Sequence, residues 1–166
     1  MRVPTRKPGQ HTHDKPDPYI TEDKFCELKN NLERLIKISR PRAAEEVKRL
    51  ALMGDFSENA AYQIAKGKLR GVNQRILDIE AHLKTARVIK SPDKNNRVQL
   101  GHHVTVEING KQKTFLILGS SETDPGSGVI SHNSPIGSAL MGKRTGETIK
   151  IKLAEREVEY KIIKIE

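Results

Sequence analysis

Between Ala65 and Ala86 the apolar residues fall at Ala65, Leu69, Val72, Ile76, Ile79, Leu83 and Ala86, an alternating 4-3 spacing. On an α-helix that spacing draws one narrow apolar seam, and a helix with one seam needs a partner. The partner precedes it in the chain. Phe25, Leu28, Leu32 and Leu35 follow 3-4-3 spacing, and the seam resumes at Ala44, Val47 and Ala51, with Leu50 beside it. Pro41 interrupts this run and is expected to kink the helix or start a fresh segment. Thr21 is the expected N-cap, with Glu22 and Asp23 in the first turn, where the helix dipole favours acids. Ile20 and Phe25 have the spacing of a hydrophobic staple. Gly54 suits the left-handed residue that ends the first helix, and the second opens near Asp55 to Ser57. Helices joined so tightly fold back antiparallel, each arm reaching on the order of 40–50 Å. Such a rod is a poor core and a good probe.

The rest of the chain changes period. "HVTVEI" alternates, Asn109-Gly110 supplies a hairpin turn, and "KQKTFLILG" returns. "SPIGSALMGK" reads as a short helix capped by Ser134, with Pro135 first and Gly142 past its end. "ETIKIKL" and "VEYKIIKI" form a further hairpin. His102 and His103 read as surface or packing residues. The expected class is α+β: a tail at 1–18, a coiled-coil hairpin at 19–90, a linker at 91–97, and a small, mainly antiparallel domain at 98–166. The tail holds four prolines and almost no apolar side chains, so disorder is expected. Its His11 and His13 are too few for a metal site. No internal repeat is present.

Charge is unevenly spread. Of a formal net charge of +9, most lies in residues 1–90, with 19 Lys+Arg against 12 Asp+Glu. Residues 91–166 carry 11 against 9. A positive field on the helical half suits nucleic acid or an acidic cleft. With six Phe and Tyr and no Trp, a stacking platform for single-stranded RNA is disfavoured. One cysteine, Cys26, rules out an intrachain disulfide and fits a reducing compartment. The N-terminus has no signal-peptide apolar region, and no run approaches the ~20 residues of a membrane helix. A cytoplasmic location is expected.

Against that basic background stand two acids at the turn, Asp55 and Glu58. Their spacing matches a capping box, which would stabilise the turn by about 1 kcal/mol. Their location suggests more. Two carboxylates cannot hold a metal alone, but Mg²⁺ is often held by one or two carboxylates with waters and phosphates. An acidic tip could thus complete a metal site owned by a partner. Lys48 and Arg49 lie before the turn, and Lys66, Lys68 and Arg70 after it. They read as a solvated helix face or as guidance for a phosphate-rich strand. Lys66 and Arg70 share a face; Lys68 points elsewhere.

"GDFSENAAY" (Gly54 to Tyr62) at a hairpin turn, followed by "ISHNSPIGSALMGKRTGETIKIKL", closely resembles the bacterial Gre transcript-cleavage factors (GreA/GreB) over residues 19 to 166. The resemblance implies a C-terminal domain of FKBP-like fold. It also implies a protein, expected to be a monomer, that binds RNA polymerase. Its coiled coil enters the secondary channel and its second domain docks at the mouth. It then stimulates the polymerase's own cleavage of the backtracked RNA 3′ end. The family's catalytic acids fall on Asp55 and Glu58, sharing the polymerase's second Mg²⁺; Ser57, Asn59 and Tyr62 match supporting tip positions. The protein would hold no cofactor of its own and would not itself be an enzyme. An acid commonly precedes the motif tyrosine, where this chain has Ala61. "YQIAKGKLR" leans toward the subtype with the larger basic patch. The alternative is a channel-occupying regulator that never promotes cleavage; a structural coiled-coil adaptor is a third class.

Overall fold

The computed structural model describes residues 17–53, 60–90, 96–153 and 156–166, with no side-chain description at 152–153 and 156–157. The first helix, α1 (Glu22–Arg34), starts as its sequence demands: the Thr21 hydroxyl accepts from the Lys24 amide at 3.2 Å. It runs through a π-helical turn at Leu35–Ser39 directly into α2 (Arg40–Ala51). Within the turn the Arg40 amide donates to the Leu35 carbonyl, five residues back.

The proline explains the turn. Pro41 has no N–H, and its ring would crowd the carbonyl four residues earlier in an α-helix. One wide turn admits it without ending the helix. The extra residue shifts the inward face. Leu35 is buried, Ser39, Ala43 and Val47 are half-buried, and Leu50 is buried, while Ala44 is exposed. The expected seam through Ala44 is therefore corrected by one residue, to Ala43.

The partner helix, α3 (Ala60–Thr85), keeps the expected register without interruption. Ala65 and Ile76 are buried, and Leu69, Val72, Ile79 and Leu83 along the same seam are half-buried. It packs along α1, the π-turn and α2. Two short strands, β1 (Tyr19–Ile20) and β2 (Arg87–Val88), pair in parallel and join the start of α1 to the exit of α3. Ile20, expected to staple the helix, is fully buried within this pairing. Among the described residues no helix is long and apolar enough to cross a membrane.

The second half is a five-stranded sheet in the order β5-β4-β3-β7-β6. Its strands are β3 (His103–Ile108), β4 (Lys111–Leu118), β5 (Val129–Ser131), β6 (Thr148–Leu153) and β7 (Arg156–Ile165). All neighbours are antiparallel except β4 and β5. The β3–β4 turn places Asn109 at φ 50° and Gly110 at φ 76°, as a two-residue primed turn requires. The short helix α4 (Pro135–Leu140) is capped by Ser134, whose hydroxyl accepts from the Gly137 amide. Val104, Val106, Phe115, Ile117, Leu140, Ile149, Tyr160 and Ile162 form the core between sheet and helix. His102 is buried, its Nδ1 accepting from the Gln99 amide at 2.9 Å, and His103 is exposed. The end of the expected linker is tied to this domain: Asn96 accepts from Thr145, and Arg97 bridges Arg144.

The register shift is testable by denaturation in urea. Ala44→Lys should change stability by no more than about 0.5 kcal/mol. Ala43→Lys should cost about 1–2 kcal/mol by placing an ammonium on the seam. Equal costs, or the reverse order, would restore the uninterrupted heptad.

Candidate functional site

The acids at the turn, Asp55 and Glu58, lie outside the described residues, as do Gly54, Ser57 and Asn59. Their flanks are described. The α2 end leaves Leu52 82% and Met53 66% exposed, and Ile64 on the first turns of α3 is 60% exposed. Three large apolar side chains standing in solvent around one turn are a feature that heptad reading overlooks.

The five basic residues divide into two groups. Arg49 makes a two-pronged pair with Glu46, Nε to Oε2 at 2.9 Å and Nη2 to Oε1 at 2.7 Å. That hydrogen bonding lowers the Glu46 pKa and raises that of Arg49, and the charge of Lys68 from α3 adds to the effect on Glu46. Arg49 and Lys68 are thus drawn to an acid of their own hairpin. Lys66 instead lies over the Tyr62 ring, Nζ 5.9 Å from its centroid, so Tyr62 and Lys66 share a face one turn apart. Lys48, Lys66 and Arg70 are all exposed.

The other end of the hairpin is a joint. Asp17, assigned to the tail by sequence, has a side chain only 4% exposed. One of its oxygens accepts from the Tyr19 amide, and the other from the Ser120 amide and hydroxyl. His132 Nδ1 stands 3.4 Å from the same carboxylate, and the Tyr19 ring meets His132 edge-on. Glu122 accepts from both the amide and the hydroxyl of Thr21, joining the helix cap to the β-domain. The Asp17 carbonyl lies 3.2 Å from His82 Nε2 at the end of α3. Apart from the local Asp17–Tyr19 bond, these contacts each span at least 65 positions of sequence, beyond any local pattern.

The family follows from comparison with known sequences. The profile described as "Transcription elongation factor, N-terminal" matches residues 18–88, and "Transcription elongation factor, GreA/GreB, C-term" matches residues 93–166. The chain belongs to the GreA/GreB family of transcription elongation factors. Transcription elongation factor GreA of Thermomicrobium roseum is 36% identical over 149 residues, 89% of this chain and 96% of that one. Those of Macrococcus caseolyticus and Caldanaerobacter subterraneus are 37% and 38% identical, each over 88% of this chain and 94% and 95% of their own. The crystal structure of GreA factor homolog 1 from Thermus thermophilus is 22% identical, covering 89% of this chain and 97% of that one, with a TM-score of 0.40.

The joint of this GreA/GreB member has a definite pH behaviour. Burial raises the Asp17 pKa, but hydrogen bonds from Ser120 and Tyr19 and the charge of His132 outweigh it, leaving it below 3.8. A carboxylate with a lowered folded-state pKa stabilises fully above its ordinary pKa. That contribution is lost as pH falls through the folded value. Denaturation from pH 7 to pH 2 should therefore show wild type more stable than Asp17→Asn at neutral pH, the gap closing only below about 3.8. A gap that closes near pH 6 would assign the effect to a different group.

Proposed function

We propose that this elongation factor stimulates cleavage of backtracked RNA 3′ ends in the active site of RNA polymerase, with Asp55 and Glu58 as the acids it contributes. The observation that carries the reading is positional. Both acids fall in the segment joining α2 to α3, at the end of α3 remote from the joint; the 26 residues of that helix separate the two ends by about 39 Å. A narrow arm with acids at its far end suits entry into a channel too tight for the whole protein.

The donor set fits a hard cation. Carboxylate oxygens are what Mg²⁺ takes, and two of them leave positions for waters, phosphate oxygens and the polymerase's own acids. Among the described residues no cluster of three His, Cys, Asp or Glu offers another metal site. When bound, the ion would activate water and offset charge developing on the scissile phosphate. The chain's own residues bring and orient the acids. Ser57, Asn59 and Tyr62 support the tip, Leu52, Met53 and Ile64 pack against the channel wall, and Lys66 and Arg70 line the path of the extruded RNA. The bond is broken at the polymerase centre, so the factor is an activator and not itself the enzyme.

An RNA cleavage assay on a stalled, backtracked complex with Mg²⁺ tests this directly. Asp55→Asn/Glu58→Gln should lose at least about 100-fold in cleavage rate while still binding the polymerase. Wild type that binds and inhibits nucleotide addition without releasing 3′ fragments would make the chain a channel-occupying regulator. In the same assay, Lys66→Glu/Arg70→Glu should slow rescue of long backtracks more than short ones. An unchanged rate on long backtracks would remove the two cations from the RNA path.

A further inference from the structure

The β-domain carries a second cationic feature, built from residues other than the hairpin's five cations. Arg97 and Arg144 face each other across an antiparallel bridge. Like charges placed directly opposite are unfavourable in a ladder. Together with Lys143, Met141, Gly142 and Glu147 they line an open concavity of about 370 Å³.

Its walls are fixed by backbone. The Val98 amide donates to the Lys143 carbonyl at 2.8 Å, and the Gly142 amide to the Val98 carbonyl at 2.9 Å. Val98 itself is anchored in the core, 1% exposed. Gly142 and Gly146 take φ of 75° and 89°, turning the chain sharply on either side of Lys143, Arg144 and Thr145.

Among the described lining residues three cations face one carboxylate, and that carboxylate is committed. Glu147 Oε1 accepts from the Arg144 amide at 3.0 Å, and Oε2 lies 3.6 Å from Lys143. Among the described residues no hydrogen bond or ion pair engages either guanidinium. The geometry points to an oxyanion site on the β-domain, in which Arg97, Arg144 and Lys143 receive a compact phosphate group, such as pyrophosphate or the polyphosphate of a nucleotide. Paired guanidinium forks match the oxygens of a phosphate, and a concavity of this size takes a terminal, multiply charged group. A nucleic-acid backbone would call instead for a linear stripe of cations.

The test uses the full chain, isotopically labelled, titrated at low salt with inorganic phosphate, pyrophosphate, a nucleoside triphosphate, the matching nucleoside and a short RNA. Pyrophosphate or the triphosphate should shift the amides of Val98 and of Gly142 to Glu147 saturably, with the nucleoside silent. A triphosphate stronger than pyrophosphate would identify a nucleotide as the source; equal binding would identify the phosphate group alone. Arg97→Gln/Arg144→Gln, both exposed and so expected to fold, should weaken binding at least about tenfold. Glu147→Gln keeps the acceptor for the Arg144 amide and removes the only carboxylate among the described lining residues, so binding should tighten several-fold, a change that a merely structural role would not produce. The proposal is overturned by an absence of saturable shifts, by binding unchanged in the double variant, or by shifts centred on Lys66, Lys68 and Arg70. RNA outcompeting pyrophosphate at the same amides would likewise overturn it and make the site a nucleic-acid contact.

Discussion

Everything the hairpin can do depends on how its base is held. The β1–β2 pairing fastens the start of α1 to the exit of α3, and Asp17 carries that fastening into the β-domain through Ser120. Gly119 shows how closely the two parts meet: a Cβ there would lie 1.9 Å from the Tyr19 carbonyl oxygen. Lever geometry makes this closeness matter. A rotation of about 10° at the base moves a point about 40 Å away by about 7 Å. Catalytic groups tolerate displacements nearer 1 Å. A factor that delivers two carboxylates at the end of an arm needs either a stiff base or a partner that holds the arm, and the buried Asp17 contributes to the first.

The arm has its own constraint. A single seam buries little apolar surface, so the register of each half decides its stability. The π-turn keeps the first strand of the hairpin continuous through Pro41 at the cost of one residue of phase. Without it, the helix would break midway or turn Leu50 away from α3. The exposed Ile36 and Ile38 lie within the turn itself, where the altered phase carries apolar side chains outward.

Features encoded locally were legible in the sequence. Thr21 and Ser134 cap their helices, Asn109-Gly110 turns the β3–β4 hairpin, and the α3 seam holds through Leu83, because each needs only neighbours a few residues away. The shift from Ala44 to Ala43 was hidden because a proline can be met by a kink, a break or a wide turn, and the choice depends on the opposing helix. The joint was hidden for a different reason. Asp17 sits in a proline-flanked segment that reads as a tail, and its partners at 120 and 132 become neighbours only after both halves have folded. The Arg97–Arg144 pairing likewise joins a residue read as linker to one that follows the short-helix segment, 47 positions later. The acid pair is the converse case: its motif is legible, while its geometry lies beyond the described residues.

The charge pattern can be argued one step further. Two carboxylates approaching RNA meet a polyanion, and nearby cations could act either by neutralising the acids or by attracting the RNA. Lys66 lies six residues beyond Ala60, about 9 Å along the axis, and Arg70 about 15 Å. At physiological salt the screening length is about 8 Å. A charge placed at the start of α3 would therefore feel little of Arg70 and only part of Lys66 in open solution. Arg49 and Lys68 are both drawn to Glu46 within the hairpin. On the proposed function, the exposed Lys66 and Arg70 are placed to serve a ligand lying along the arm. A basic chain with an acidic tip is then not a contradiction: in the proposed function the cations would hold the strand while the carboxylates help to place the ion.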